Sequence, residues 1–285
     1  MATTLSISEQ LTYSTVRIEC QLRTGGVSTG TGFFYRFAQA RDQHIPAIVT
    51  TKQVVEGAAR GTLRLHLMDN AGKPRPATYD TFTIDDFHAR WLPHPRLAVD
   101  LCAMPIAPIL NQASANGRPI FYVSLDKALI PQPDEVAELA ALEDIVVMGY
   151  PDGIWDSVNN LPIIRKGITA THPRVDYKGR QEFLIDMAGS PGSSGSPVFL
   201  LDAGGYPGRS GGVGAGSRVK LLGVLAAEPQ NTAPGVIAMG NLPTRRRPEV
   251  LPGMPDNLGV VIKAQRLLEF DPVLAITDVP AAHTG

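Results

Sequence analysis

Gly189-Ser190-Pro191-Gly192-Ser193-Ser194-Gly195-Ser196-Pro197-Val198-Phe199-Leu200-Leu201 joins a glycine–serine turn directly to an apolar strand. Taken alone, a Gly/Ser run also fits a plain surface turn. Linkers, however, do not usually continue as core, and here the chain enters five apolar residues with no polar spacer. Glycine lets a backbone bend sharply and brings amide N–H groups close to a neighbouring atom. Ser194, between Ser193 and Gly195, is therefore the candidate nucleophile, with donors for a developing oxyanion on the same turn.

Outward from this turn, β-branched and aromatic runs of four to eight residues are punctuated by Gly, Pro, Asn and Asp, the pattern of strands. In the first half they fall at 14–22, 32–37, 47–51, 62–68, 81–84 and 99–105; in the second at 120–123, 145–150, 163–169, 182–187, 197–201 and 221–226. Between the sets, 106–119 is less regular and suits a linker. The expectation is an all-β chain of two six-stranded antiparallel β-barrels packed face to face, with a short C-terminal helix over 263–270. Residues 1–106 would form the first barrel. Residues 107–285 would carry the linker, the second barrel and the terminal helix. A short surface helix is expected over 134–142. The abundance of turn formers agrees, with 28 Gly and 24 Pro in 285 residues.

Serine acyl transfer also needs a base near neutral pKa and a buried acid to orient it. Asp100, in Val99-Asp100-Leu101-Cys102-Ala103-Met104, is the candidate acid. Together with Thr29-Gly30-Thr31-Gly32-Phe33-Phe34, Ile48-Val49-Thr50-Thr51-Lys52-Gln53-Val54-Val55 and the nucleophile segment, this passage makes the chain resemble the bacterial trypsin-like serine peptidases of the chymotrypsin-like double β-barrel superfamily. Val147-Met148-Gly149-Tyr150-Pro151 and Asn257-Leu258-Gly259-Val260-Val261-Ile262 add support, and the likeness spans roughly 14–270.

The resemblance implies a serine endopeptidase acting on a peptide or protein through an acyl-enzyme on Ser194. The turn Gly192-Ser193-Ser194 would form the oxyanion hole with the N–H groups of Gly192 and Ser194. The primary pocket would be lined by Ala188 and, opposite, by Val224, Leu225, Ala226 and Ala227. None of these offers a charge for Lys or Arg, so a small or medium uncharged side chain is favoured. Asp186 and Glu228 flank these segments as solvated strand-end charges, unless they point inward.

The departure from the family lies at Gln53, which stands where the resemblance expects histidine. A glutamine amide is essentially non-basic and cannot carry the proton, although it can hydrogen-bond the hydroxyl. The chain as written should hydrolyse almost nothing. It is either an inactivated copy of a working enzyme, the preferred reading because little else looks eroded, or a natural pseudoprotease acting as a peptide-binding or regulatory module. An esterase or other acyl transferase on the same residues is a third, weaker reading; the order Asp100 then Ser194 does not suit the α/β-hydrolases. His44, His66, His88, His94, His172 and His283 read as ordinary structural or surface histidines, with His94 and His172 the nearest to the expected cleft.

Other function classes find no support. Formal net charge is −1 with 19% charged residues, which offers no electrostatic case for nucleic acid or an anionic membrane surface. No run approaches the roughly 20 apolar residues of a membrane span, and the first residues do not read as a secretory signal, so a cytoplasmic location is expected. Cys20 and Cys102 read as buried thiols, and the chain lacks metal-ligand and phosphate-loop spacings; no cofactor or metal is expected. The glycine-rich 203–217 reads as a hairpin tip. Arg245-Arg246-Arg247, in the proline-rich 230–257, reads as a solvated charge run, with an acidic partner as the alternative.

Overall fold

A computed structural model of the chain describes residues 5–40, 43–151, 154–187, 192–202, 204–207, 212–227, 237–238, 249–250, 257–276 and 282–283. After a capped helical turn, α1 (Ile7–Thr12), the first half supplies β1 (Thr15–Leu22), β2 (Val27–Ala40), β3 (Gln43–Thr50), β4 (Ala58–Met68), β5 (Pro74–Asp85), β6 (Leu92–Pro93) and β7 (Cys102–Pro105). They pair antiparallel in the order β5-β4-β1-β2-β3-β7-β6, and the short β18 (Ala282–His283) adds to β3 as an eighth strand. The expected fold class is observed, with eight strands rather than six in the N-terminal unit.

The second unit is a closed six-stranded barrel. Its strands are β8 (Asp144–Gly149), β9 (Ile163–Thr169), β10 (Glu182–Asp186), β11 (Pro197–Asp202), β14 (Arg218–Ala227) and β17 (Leu258–Lys263), in the order β10-β17-β14-β11-β8-β9. Two short ladders lie outside it. β12 (Gly205–Pro207) pairs with β13 (Val213–Ala215), within the stretch read as a hairpin tip, and β15 (Ile237–Ala238) pairs with β16 (Glu249–Val250). Arg245–Arg247 lies outside the described residues.

Three apolar clusters account for the packing. Val16, Ile18, Phe34, Ile48, Leu63 and Phe87 fill the N-terminal sheet. Ile145, Val147, Phe183, Ile185, Val198 and Leu222 fill the barrel. The third cluster joins the units: Phe33, Tyr35, Phe37 and Val49 from the first meet Met148, Phe199, Leu221 and Val224 from the second.

The end of the chain seals that junction. In place of a regular helix over 263–270, a 3₁₀ segment, Ala264–Phe270, runs into α5 (Asp271–Ile276). Pro272 can start a helix but cannot extend one, because it lacks the N–H that an interior turn needs. Leu267, Phe270 and Leu274 are fully buried, and the Asp271 carboxylate accepts the Ala38 N–H at 2.8 Å. The stretch expected as a linker contains α3 (Ala107–Ala115), with proline in its first turn. The expected surface helix is present but shorter, as α4 (Pro133–Glu138). Residues 120–123, expected as a strand, contribute only an isolated bridge from Ile120 to Leu67.

Candidate active site

Gln53 is delivered by one turn of helix, α2 (Lys52–Val55), that begins where β3 ends. Val54 and Val55 are buried, which anchors the turn and leaves Gln53 exposed at its surface. Asp100 lies just before β7, which pairs with β3 so that Thr50 faces Cys102. This pairing brings the acid beneath the turn. The backbone N–H of Lys52 donates to the Asp100 carboxylate at 3.0 Å, and the Gln53 N–H also bonds to it. Burial is the stronger influence on this carboxyl and raises its pKa above the ordinary 3.8, while the two N–H donors pull it back down.

Ser194 reaches the same place from the other unit. Gln53 Nε2 donates to the Ser194 Oγ at 3.3 Å and also to the Ala226 carbonyl. The second bond fixes the amide's orientation, because a carbonyl accepts only from the NH₂ side. Ala226 is free to accept because β14 bulges between Leu225 and Ala227 where it pairs with β17, interrupting the ladder.

The turn from Gly192 to Gly195 is held by its carbonyls. Ser193 O accepts the Ser196 N–H at 3.1 Å, and Ser194 O accepts the Thr31 N–H at 2.9 Å. Gly192 O accepts the Thr31 hydroxyl at 3.1 Å. The Gly195 N–H donates to Leu225 O at 2.7 Å. Gly192 and Gly195 both adopt positive φ, +82° and +86°. At Gly195 a Cβ would also run into the Thr31 carbonyl and the Thr50 hydroxyl, so glycine is required there on two counts. Ser193 is buried, as is Ser196, whereas Ser194 is half-exposed.

Of the residues expected to line a primary pocket, Val224 is fully buried in the cluster between the units and Leu225 in the barrel interior. Neither side chain faces an open cleft in this arrangement; strand alternation turns one into each core. What β14 presents beside Gln53 is the Ala226 backbone. The Ala227 side chain, Ala188 and Glu228 lie outside the described residues. Asp186 is exposed at the end of β10.

Four histidines have partners away from Ser194. His66 is buried, with Nε2 3.0 Å from Asn160 O. His88 Nδ1 lies 3.2 Å from Val55 O. His94 Nε2 lies 3.1 Å from Arg266 O, and its ring packs edge-on to Phe270. His172 Nδ1 accepts the Arg174 N–H at 3.3 Å. His44 and His283 lie on β3 and β18. Among the described residues the Ser194 hydroxyl bonds to Gln53 and to no imidazole.

Sequence reasoning missed Thr31 and Thr50. The Thr29–Gly32 stretch lies inside β2, and its glycines serve close approach. A Cβ at Gly30 would strike Val54, and one at Gly32 would strike Ile48 and Ile18. Thr50 Oγ1 donates to the Thr31 carbonyl at 2.7 Å, and Tyr150 N–H donates to the Thr31 hydroxyl at 2.9 Å.

Cys20 and Cys102 are buried free thiols, and burial pushes both pKa values up, that of Cys20 to about 12. Among the described residues no His/Cys/Asp/Glu group is arranged to hold a metal ion, and no helix is long and apolar enough to cross a membrane.

Solved structures similar in fold include the active form of the Rv3671c protease from M. tuberculosis, at 17% identity and TM-score 0.45 over 96% of this chain and 84% of that one. The HtrA-type protease AlgW with tripeptide is similar at 12% identity and TM-score 0.48, over 93% of this chain and 61% of that one. Deg5 is similar at 16% identity and TM-score 0.42, over 79% and 88%. None of the curated proteins matches. The pattern of the trypsin-like peptidase domain matches residues 30–208, which include Gln53, Asp100 and Ser194, and the chain belongs to that family.

Proposed function

We propose that Ser194 is the nucleophile of a serine endopeptidase site, that Asp100 is its orienting acid, and that Gln53 occupies the general-base position and leaves the chain nearly without hydrolytic activity. The observation that carries this reading is the 3.3 Å hydrogen bond from Gln53 Nε2 to Ser194 Oγ, above a carboxylate held by the backbone of the same helical turn. An imidazole at position 53 would have the acid on one side and the serine on the other. An amide donates to the serine instead of accepting from it, so the hydroxyl proton has no acceptor there. The donors for an oxyanion are the N–H groups of Gly192 and Ser194, on a turn whose carbonyls are engaged within the protein. The preferred origin is an inactivated copy of a working peptidase.

The alternative, a peptide-binding module, draws support from Gln53 itself beside a Gly192–Gly195 turn that is otherwise intact. Replacing Gln53→His distinguishes the two. The working-enzyme reading expects peptide hydrolysis and fluorophosphonate labelling of Ser194 to rise by about 10³-fold or more, the scale on which losing a triad histidine acts. A histidine variant that folds yet neither cleaves nor labels would overturn it.

A further inference from the structure

A cavity of about 310 Å³ opens on the barrel, and neither Gln53 nor Ser194 lines it. That volume is at the lower end of small-molecule sites, about 300–1,000 Å³. Its floor is Leu139, Phe183 and Leu222, all buried members of the barrel core. Pro131, Pro133 and Pro173 stiffen its walls, and Val136 of α4 stands at the side. β10 and β17 reach it at Phe183 and Lys263.

The charges around it are unequal. Lys263 projects into the lining with its side chain only 11% exposed, and its ammonium is held by Asp176 at 2.6 Å and by the Arg174 carbonyl at 3.2 Å. Arg174, an exposed residue also in the lining, has no ion pair among the described residues. Two cations therefore face one carboxylate over an apolar floor. A neutral apolar guest would leave the excess positive charge unanswered, and a cationic guest would oppose it.

We propose that this cavity binds a small amphiphilic carboxylate, a medium-length acyl or aryl acid, with its chain on Phe183 and Leu222 and its head between Arg174 and Lys263. The proposal does not depend on the chemistry at Ser194, because binding is read directly. Octanoate, octanol and octylammonium are titrated into the whole protein by calorimetry, with methyl NMR locating the site. Octanoate should saturate, shift the methyl signals of Val136, Leu139 and Leu222, and bind at least about tenfold tighter than either control. Arg174→Glu should weaken it about tenfold or more. Asp176→Asn should tighten it, since the change frees Lys263 and removes a like charge. Residues 174 and 176 are exposed, so both variants should fold. Equal binding of octanol, absence of saturation, methyl shifts elsewhere, or indifference to both substitutions would each overturn the proposal.

Discussion

The Thr31 hydroxyl, on the N-terminal sheet, donates to the Gly192 carbonyl on the barrel at 3.1 Å and accepts the Tyr150 N–H at 2.9 Å. The Thr31 N–H donates to Ser194 O at 2.9 Å. One residue of the first unit thus holds carbonyls on both sides of Ser193 and satisfies a buried N–H at the end of β8. With Ser193 O engaged by Ser196, the three carbonyls of the turn are all occupied. Peptide planes are rigid, so fixing a carbonyl fixes the N–H at the other end of that plane.

Thr31→Val should therefore disturb both stability and site. It removes a donor to Gly192 and leaves the Tyr150 N–H buried without a partner, at a cost of about 1–3 kcal/mol. In a Gln53→His background turnover should fall about tenfold with KM little changed, and Thr31→Ser should retain most of it. Thermal melts and steady-state kinetics on the three proteins check this. A larger loss in Ser than in Val would show that the methyl group matters rather than the hydroxyl.

Much of this arrangement is legible in the residues, and the limits are physical. Strand β9 reads directly, since Ile163–Thr169 alternates between half-buried and exposed positions as a one-sided strand should. The far longer β5 reads only at 81–84, because Pro74–Asp85 is an edge strand with no buried residue to set a pattern. Helix α3 is masked by Pro108, which breaks a helix interior but is tolerated in its first turn. Gln53, Asp100 and Ser194, which the structure brings together, stand out through the family resemblance of the segments that carry them. Thr31 does not: nothing about a threonine between two glycines announces a partner 161 positions away.

Asp100 should make stability depend on pH. Its folded pKa lies above the unfolded value near 3.8, so the native state holds this proton more tightly than the unfolded chain does. Its contribution is most favourable below 3.8 and declines as pH rises through the folded value. Asp100→Asn removes that decline while keeping an oxygen for the Lys52 N–H. The variant's melting temperature should therefore gain on the parent between pH 4 and pH 7. In the Gln53→His background the same change should cost about 10⁴ in turnover.

His66 acts in the opposite direction. Burial holds its pKa below the ordinary 6.5, and its Nε2–H donates to Asn160 O, tying the segment after Tyr150 to β4. Asn160 adds a bond from Nδ2 to Arg64 O at 3.0 Å and holds φ at +55°. The neutral ring is favoured in the native state, so stability is intact above 6.5 and is lost as pH falls toward the lower folded value. Melts at pH 7.5 and 5.5 should show the parent losing more than His66→Gln, which keeps a donor for the carbonyl but cannot titrate. His94, also shifted down by burial, leaves a residual slope in that variant.

The bond from Gln53 to the Ala226 carbonyl carries the last prediction. Because β14 bulges there, this carbonyl is an acceptor not used by the β14–β17 ladder, on the backbone edge beside Ser194. An extended peptide entering the cleft would seek such an edge for main-chain pairing. The amide already occupies it, so binding must first break one hydrogen bond, worth about 1 kcal/mol. Gln53→Ala removes that competitor without restoring a base. It should bind uncleaved peptides roughly fivefold tighter than the parent while hydrolysing them no faster than the parent does, measured by fluorescence anisotropy with peptides of varied sequence. Unchanged affinity would mean that peptides do not pair at Ala226, and weaker affinity would mean that the Gln53 amide itself contacts them.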